Sequence, residues 1–357
     1  MLLFQVPHDE NLPTLFKIQE DLAGGIREMS ILPEHSPFPA AVVQIHRLPP
    51  EILAAIFVHL SNQEPDPLGS DLPRSIQDLV SVSHVCKFWR EVAVTTPDLW
   101  TEINMTNLEA VEIFLERSGA VPLNVELRSA NEDILQTVAA HAHRFRRFSV
   151  STPRNPRYNP FAALRKPAPL LERLEISYPL DFQPYTVFND QAPRLRELTI
   201  FTSGPWLKNQ LGNLTSLHLT LRDAVLPYSQ FLPFFDMLRR CPALEEMFVW
   251  WNTWSMAPPT STTRPPTIPL HRLRKLLLRS FRIENIQYLL HSLELVNNGI
   301  AIHLSDVNLE GDEEHFVPRI QAVFQNHNPC RPSLASCTKL VLSRARAVYI
   351  LYYTRLL

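Results

Sequence analysis

The side chains that could carry chemistry in this chain are histidines, acids and cysteines, and they are scattered. The run HAHRFRRF (141–148) places two histidines at i and i+2, a spacing that points them apart on a helix. The acidic turn GDEEH (311–315) has no second group at metal-ligand spacing, and the cysteines form no CxxC pair. Phosphate-binding, HExxH and GxSxG motifs are also missing from the sequence. The sequence therefore predicts no catalytic residue, no metal site and no cofactor.

Composition narrows the class of protein. The 357 residues are 45% apolar and 20% charged, which is ordinary for a globular protein of two or more domains. The formal net charge of -2 provides no field that favours nucleic acid or a membrane surface. No signal peptide or membrane-length apolar run is recognisable, and Cys86, Cys241, Cys330 and Cys337 are expected to be reduced and mostly buried. We expect an intracellular protein, cytoplasmic or nuclear, with no nucleic-acid or membrane partner.

The first clear secondary-structure pattern that could form a functional surface is RLPPEILAAIFVHL (47–60). Pro49 or Pro50 fits the first helical turn, where a missing N–H costs nothing. The apolar positions after them follow the i, i+1, i+4, i+5, i+8 spacing of one helix face. They are Ile52, Leu53, Ile56, Phe57 and Leu60. This pattern predicts an amphipathic helix that is either ordinary core or a surface for a partner.

Two further short helices are predicted after a polar, proline-bearing spacer (61–75). Ser75 and Asp78 form a capping-box-like pair before the second helix, and Ser83 is placed to cap the third. The stripe of the third helix comprises Val85, Phe88, Trp89, Val92 and Ala93. Three such helices in about 50 residues bury so little apolar surface that the unit would be only marginally stable alone. We therefore expect this unit to pack on a neighbour or a partner.

These residues, in this order, resemble an F-box. The matching positions are L-P-x-E-I-L-x-x-I-F from Leu48, V-x-x-V-C-K-x-W-R from Val82 and P-x-L-W from Pro97, within residues 45–105. The resemblance is closest to the F-box-like form of large fungal families, and it implies docking on the Skp-type adaptor of a cullin–RING ubiquitin ligase. It also implies that Trp89 holds the helices together. The adaptor contacts implied are Leu48, Pro49, Ile52, Leu53, Ile56 and Val85.

Helix and strand patterns alternate after residue 105. TNLEAVEIFLERSG has a capping box at Thr106 and Glu109 and a stop at Gly119. The alternating strand VPLNVELR follows, then the helix NEDILQTVAAHA and the strand FRRFSV. The arginines of that last strand region are predicted to be its solvated face: Arg144, Arg146 and Arg147. The alternation is typical of an α/β fold.

The phrase L-x-x-L-x-L then recurs five times, with a degenerate sixth copy at CTKLVLS (337–343). Successive copies are separated by 24, 19, 30 and 29 residues, scattered around the ~20–29 typical of leucine-rich repeats. Each strand would bury its leucines against the next repeat. The asparagine expected after the last apolar position is present only at Asn252. We therefore expect an irregular leucine-rich-repeat-like solenoid over residues 106–345 and a C-terminal tail over 346–357.

One insertion, residues 250–269, separates the fourth and fifth copies. Its APPTSTTRPPTIP run predicts an exposed, extended loop. Trp250, Trp251 and Trp254 beside it form either a target-binding hot spot or a cap on the apolar interior.

The patterns and the resemblance together predict an α/β protein with a three-helix F-box followed by the irregular repeats. Residues 1–44 precede the F-box as a helical or disordered segment. The resemblance implies a non-enzymatic substrate-recognition subunit of a cullin–RING (SCF-type) ubiquitin ligase, with the F-box on the adaptor and the repeats on a target protein. The alternative is an interaction scaffold that uses both parts without ligase function.

Overall fold

The computed structural model describes residues 45, 48–61, 74–128, 132–151, 160–178, 185–202, 207–221, 231–251, 267–295, 300–307, 337–344 and 347–352. Within these ranges the chain forms two compact units, the first ending at Leu99 and the second beginning at Trp100. The described elements are seven α-helices and thirteen strands, so the protein is mixed α/β with a large parallel sheet. The predicted N-terminal segment 1–44, most of the spacer and most of the proline-rich insertion lie outside the described residues.

In its described residues the first unit has three short helices, α1 (Pro50–Ser61), α2 (Arg74–Ser83) and α3 (Lys87–Thr95). It ends within the 3-10 turn Pro97–Trp100. The N–H groups of Ile52 and Leu53 donate to the carbonyl of Pro49 at 3.0 and 3.1 Å. The prolines therefore start α1, as predicted. The rings of Phe57 and Trp89 lie 5.1 Å apart and join α1 to α3, which agrees with the internal role predicted for Trp89.

Two helix starts in this unit differ from the prediction. Ser83 is the last residue of α2, where its hydroxyl donates to the carbonyl of Val80 at 2.8 Å. The helix α3 begins later, after Cys86, which provides no side-chain cap. Ser75 lies inside the first turn of α2 rather than before it. Serine suits either end of a helix, because its hydroxyl can accept from a free N–H or donate to a carbonyl one turn back.

The second unit is organised around one eleven-stranded sheet whose strand order follows the chain. Its strands are β1 (Glu102–Ile103), β2 (Leu123–Arg128), β3 (Phe145–Ser151), β4 (Arg173–Tyr178), β5 (Glu197–Thr202), β6 (Ser216–Leu221), β7 (Glu246–Trp251), β9 (Lys275–Arg279), β11 (Ile300–Ser305), β12 (Cys337–Arg344) and β13 (Ala347–Tyr352). Neighbours pair in parallel except β12 with β13, which are antiparallel. A separate parallel pair is formed by β8 (Ile268–Pro269) and β10 (Leu293–Glu294).

The described parts of the connections in this unit contain four helices: α4 (Leu108–Arg117), α5 (Glu132–Ala139), α6 (Phe231–Arg239) and α7 (Ile283–Ser292). Shorter 3-10 turns are found at Ala142–Arg144, Pro160–Ala162 and Phe188–Asp190. The side chain of Asn107, not the predicted Thr106, caps α4, because its oxygen accepts from the N–H of Ala110 at 3.1 Å. The alternation of helix and strand predicted over this region is confirmed for α4, β2, α5 and β3.

The repeated L-x-x-L-x-L phrase explains the register of the sheet. Its second apolar positions are paired across neighbouring strands, and so are its third. These two rows are Leu174, Leu198, Leu217, Met247 and Leu276, and Ile176, Ile200, Leu219, Val249 and Leu278. Every member of both rows is at most 1% exposed, and each such burial stabilises the fold by roughly 1.5–3 kcal/mol. The predicted inward positions of the strands are therefore confirmed.

The end of the chain differs from the predicted tail. Within 346–357, the residues AVYILY form β13, which pairs with β12 along its whole length. Its β-branched and aromatic residues favour an extended strand, so the sheet continues beyond the last repeat copy.

Gly119 follows α4 in the left-handed conformation, with φ +54°, and no atom lies within 4 Å of a Cβ built there. Because only backbone strain then opposes a side chain, we expect Gly119→Ala to lower the free energy of unfolding by about 1 kcal/mol. Urea denaturation followed by circular dichroism measures this loss. Gly212→Ala is the matched control, since its site is equally open and has no left-handed φ. Equal losses for both variants would show that the φ angle is not the cause.

Candidate docking surface

Large apolar side chains that remain exposed mark the first candidate site. Among residues whose burial the structure describes, these side chains are Ile45, Ile52, Ile56, Leu60, Val85 and Phe88. Their exposed fractions range from 36% at Phe88 to 52% at Val85. All of them belong to the first unit, and no large apolar side chain described in the second unit is as exposed. Single exposed apolar residues are ordinary, but a concentration in one small unit indicates an interaction surface.

The helix α1 carries two apolar stripes side by side. Leu53 and Phe57 are 0% and 2% exposed and form the stripe that packs within the unit. Ile52, Ile56 and Leu60 follow at i, i+4 and i+8 and are 38–49% exposed. Because residues four apart lie on the same helix face, these three form one continuous exposed stripe.

A second exposed apolar pair, Val85 and Phe88, lies at the turn between α2 and α3. Phe88 is the chain neighbour of Trp89, and Ile56 is the chain neighbour of Phe57. The rings of Trp89 and Phe57 are in contact at 5.1 Å between centroids. This aromatic pair therefore joins the two helices that carry Ile56 and Phe88.

The structure separates the residues that the F-box resemblance implied as adaptor contacts. Pro49, Ile52, Ile56 and Val85 are exposed, and Leu48 is half-buried. Leu53 does not belong to the exposed face, because it is completely buried in the helix packing. The sequence pattern could not separate two adjacent stripes that are both apolar. Three exposed residues are not among the adaptor contacts that the resemblance implied: Ile45, Leu60 and Phe88.

The tryptophans beside the insertion occupy different environments. Trp251 is 3% exposed and packs edge-on against Phe281 at 5.6 Å, which agrees with the predicted cap on the interior. Trp250, the preceding residue of β7, is half-buried on the opposite face, where the guanidinium of Arg279 lies 4.7 Å from its ring. Trp254 lies outside the described residues. Of the three, only Trp250 is described on the face that a target could reach.

The face of the sheet that carries Trp250 also presents an aromatic pair and several ion pairs, which no sequence motif marks. The rings of His218 and Phe248 lie 5.5 Å apart on adjacent strands. Ion pairs join Arg173 to Glu197, Lys275 to Glu246 and Arg279 to Asp306 across the strands. Exposed pairs of this kind contribute at most about 1 kcal/mol each. The sequence marks this face only indirectly. Side chains alternate along a strand, so the residues between the buried apolar positions must lie on the opposite face.

Arg144 was predicted on the solvated face of β3, and this was wrong. It is 5% exposed, and its guanidinium donates to three acceptors at the end of α4. The contacts are to the carbonyls of Val121 (2.9 and 3.1 Å) and Leu115 (3.3 Å) and to the hydroxyl of Ser118 (2.6 Å). Burial lowers the pKa of Arg144 from its usual value. Arg146 and Arg147 are exposed, as predicted.

The described residues are otherwise without a metal-binding cluster or a membrane-spanning helix. No group of three or more histidine, cysteine or acidic side chains in the described chain is placed to hold a metal ion. None of the described helices is both long and apolar enough to span a bilayer. Burial raises the pKa of the Cys241 thiol to about 12, so this cysteine is a packing residue rather than a nucleophile.

Comparison with known families identifies the first unit. Residues 45–106 match the family model described as F-box-like. The match contains α1, α2, α3, the 3-10 turn and β1, and it extends seven residues past the end of the first unit at Leu99. A search of curated proteins finds no similar sequence. The chain therefore contains an F-box-like domain at residues 45–106. This domain holds the most exposed large apolar side chains among those whose burial the structure describes.

Proposed function

We propose that this protein is the substrate-recognition subunit of a cullin–RING (SCF-type) ubiquitin ligase. The observation that carries the proposal is the exposed apolar set of the F-box-like domain. F-box domains dock on Skp-type adaptors. In α1 the buried stripe with Leu53 and Phe57 packs within the unit, and the exposed stripe with Ile52 and Ile56 contacts the adaptor. The chain needs no catalytic group in this role, because the ubiquitin transfer occurs on other subunits.

Docking removes apolar surface from water. A large apolar side chain contributes roughly 1.5–3 kcal/mol when it goes from exposed to buried. Ile52 and Val85 are about half exposed in the free chain, at 49% and 52%, so each would contribute roughly 1 kcal/mol on docking. The exposed set therefore provides a driving force for association that the second unit does not show in its described residues.

In this proposal the F-box-like domain is of the kind found in large fungal families, and the second unit is a degenerate leucine-rich-repeat-like solenoid that binds the target. The solenoid is supported by the parallel sheet, whose strand order follows the chain, and by its aligned apolar rows. The target meets the open sheet face at Trp250 and Phe248, whereas Trp251 is excluded by its burial. Holding target lysines near a loaded conjugating enzyme raises their effective concentration. The protein acts in the cytoplasm or nucleus, without nucleic-acid or membrane partners.

Affinity purification from cells tests the proposal against the scaffold alternative. The full chain and a Leu48→Ala/Pro49→Ala variant are compared, with and without proteasome inhibition. We expect adaptor and cullin to co-purify with the wild type at least tenfold better than with the variant, and one or more further partners to accumulate when the proteasome is blocked. Pro50 remains to start α1 in the variant, and circular dichroism checks its folding.

Pro122→Ala, which changes an exposed proline of the second unit, is the control and should bind the adaptor as the wild type does. If the adaptor binds the wild type and the Leu48→Ala/Pro49→Ala variant equally, or binds neither of them, docking through the F-box-like domain is contradicted. Selective adaptor binding without any partner that accumulates would instead identify a scaffold.

A further inference from the structure

An open hollow of about 510 Å³ lies among the segments that lead into β4, β5 and β6. Its lining includes three proline rings and three amide side chains: Pro167, Pro169, Pro193, Gln191, Gln210 and Asn213. Asp190 is the charged residue of this lining, and none of the described lining residues is aromatic. The volume is within the ~300–1,000 Å³ of ligand pockets, and amide side chains can hydrogen-bond the peptide groups of a bound polypeptide.

One wall of the hollow has a strained backbone. Phe188, Asn189 and Asp190 have φ angles of 55°, 52° and 61°, in the left-handed region that disfavours residues other than glycine. The Phe188 side chain is 0% exposed, and its N–H donates to the carbonyl of Leu164 at 2.6 Å. Strain of this kind is concentrated at ligand sites, where the surrounding structure holds it in place.

A buried asparagine fixes the same wall to the segment before β6. Asn209 is 4% exposed. Its amide nitrogen donates to the carbonyl of Val187 at 2.7 Å, and its amide oxygen accepts from the N–H of Val187 at 3.0 Å. The carboxylate of Asp190 accepts from the N–H of Gln210 at 2.6 Å. These bonds cross between the segments on either side of β5, so the hollow is formed before any ligand binds.

The rim of the hollow is basic. Five basic residues lie within two positions of a lining residue, and all are exposed: Arg165, Lys166, Arg194, Arg196 and Lys208. In the described chain none of the five forms an ion pair, although Lys166 donates to the carbonyl of Ala140 at 3.3 Å. The nearby acids Glu172 and Glu197 are already paired with other arginines. The chain therefore leaves the positive charge of this rim without a partner carboxylate.

We propose that the hollow binds an acidic segment of a partner protein. The main chain of that segment lies against the prolines and amides, and its carboxylates meet the arginines of the rim. A single-stranded nucleic acid is disfavoured, because its bases need aromatic side chains on which to stack. The inference goes beyond the proposed function, since it requires neither the F-box-like domain nor the open sheet face. The net charge of -2 conceals the basic rim, because it is a sum over the whole chain.

Binding of fluorescein-labelled deca-glutamate to the full chain, measured by fluorescence anisotropy, tests the proposal. We expect Arg194→Glu/Arg196→Glu to weaken binding at least tenfold at an ionic strength of about 0.1 M, where the Debye length is about 10 Å. Arg272→Glu/Arg274→Glu is the matched control, because these exposed arginines flank Leu273 as the first pair flanks Leu195. They lie three strand spacings from β5, roughly 14 Å, so this control should weaken binding less than about threefold.

Substitutions at Gly212 test the hollow separately from its charge. Gly212 belongs to the lining, and no atom lies within 4 Å of a Cβ built there. Gly212→Trp fills the space without changing the net charge and should weaken binding of deca-glutamate about tenfold, because the ring clashes with the peptide. Gly212→Ala should bind as the wild type does. Circular dichroism checks that every variant is folded.

Equal binding by Gly212→Trp and Gly212→Ala would assign the peptide to diffuse surface charge and overturn the proposal. Equal losses in the two arginine pairs would overturn it for the same reason. If labelled decathymidylate binds the wild type more tightly than deca-glutamate does, the surface belongs to nucleic acid and the inference is wrong. It is also wrong if the wild type does not bind deca-glutamate.

Discussion

Ile56→Asp is expected to weaken binding of the adaptor at least 100-fold while leaving the chain folded. In the docked state the aspartate would place an unpaired carboxylate in an apolar interface, which costs several kcal/mol. In the free chain Ile56 is 38% exposed, so the same change should lower the free energy of unfolding by no more than about 1 kcal/mol. Isothermal titration calorimetry measures the affinity, and urea denaturation measures the stability.

Two variants on the same helix make this prediction specific. Ala54 is half-buried on α1 and stands two residues from both Ile52 and Ile56, a spacing that does not share a helix face, so Ala54→Asp introduces the same charge off the stripe and should bind normally. Leu53→Asp should instead unfold the first unit, because Leu53 is 0% exposed. Normal binding by Ile56→Asp, or an equal loss with Ala54→Asp, would show that the exposed stripe is not the docking surface.

Arg144→Ala is expected to lower the free energy of unfolding of the second unit by about 3 kcal/mol. The change removes all the hydrogen bonds that the guanidinium donates at the end of α4. Their acceptors are the carbonyls of Leu115 and Val121 and the hydroxyl of Ser118. Buried acceptors that lose their partners cost about 1–3 kcal/mol, and the missing side chain also leaves a void. Chemical denaturation of the full chain, followed by tryptophan fluorescence, measures the loss.

The controls for Arg144 separate its hydrogen bonds from its charge. Arg144→Lys keeps the charge but loses the planar fork of donors, so it should lose about half as much stability as Arg144→Ala. Arg147→Ala removes an exposed arginine three residues later and should change stability by less than about 0.5 kcal/mol. A loss at Arg144 no larger than that at Arg147 would mean that the buried contacts do not stabilise the end of α4. Adaptor binding should be unchanged in all three variants.

These two predictions concern different tasks of the same chain. The second unit is stabilised by rows of apolar residues that repeat from strand to strand, and Arg144 secures one of the helices that connect the strands. The first unit leaves apolar side chains exposed to water, which lowers its stability when it is free. The docking that we propose would bury them and recover that free energy.

Much of the fold could be predicted from the sequence because it depends on local periodicity. The two prolines before a helical pattern determined where α1 begins. The recurrent L-x-x-L-x-L spacing determined the buried positions of β4, β5, β6, β7 and β9. Periodicity left open whether α1 was core or a partner surface, and it was the F-box resemblance that implied Ile52, Ile56 and Val85 as adaptor contacts. All three are exposed.

The tertiary structure decided what periodicity cannot express, namely what lies opposite each side chain. Leu53 and Ile52 are adjacent and equally apolar, yet the packing of three helices buries the first and exposes the second. Trp251 is buried and Trp250 lies on the opposite face of the sheet. The pairing of β7 with β6 decides this, because it aligns Trp251 with the buried Leu221. Arg144 bonds to acceptors 23–29 residues earlier in the chain, and no local pattern records a contact at that separation. The sequence by itself therefore determined the elements and their apolar positions, whereas only the tertiary structure determined which apolar stripe, which tryptophan and which arginine faces water.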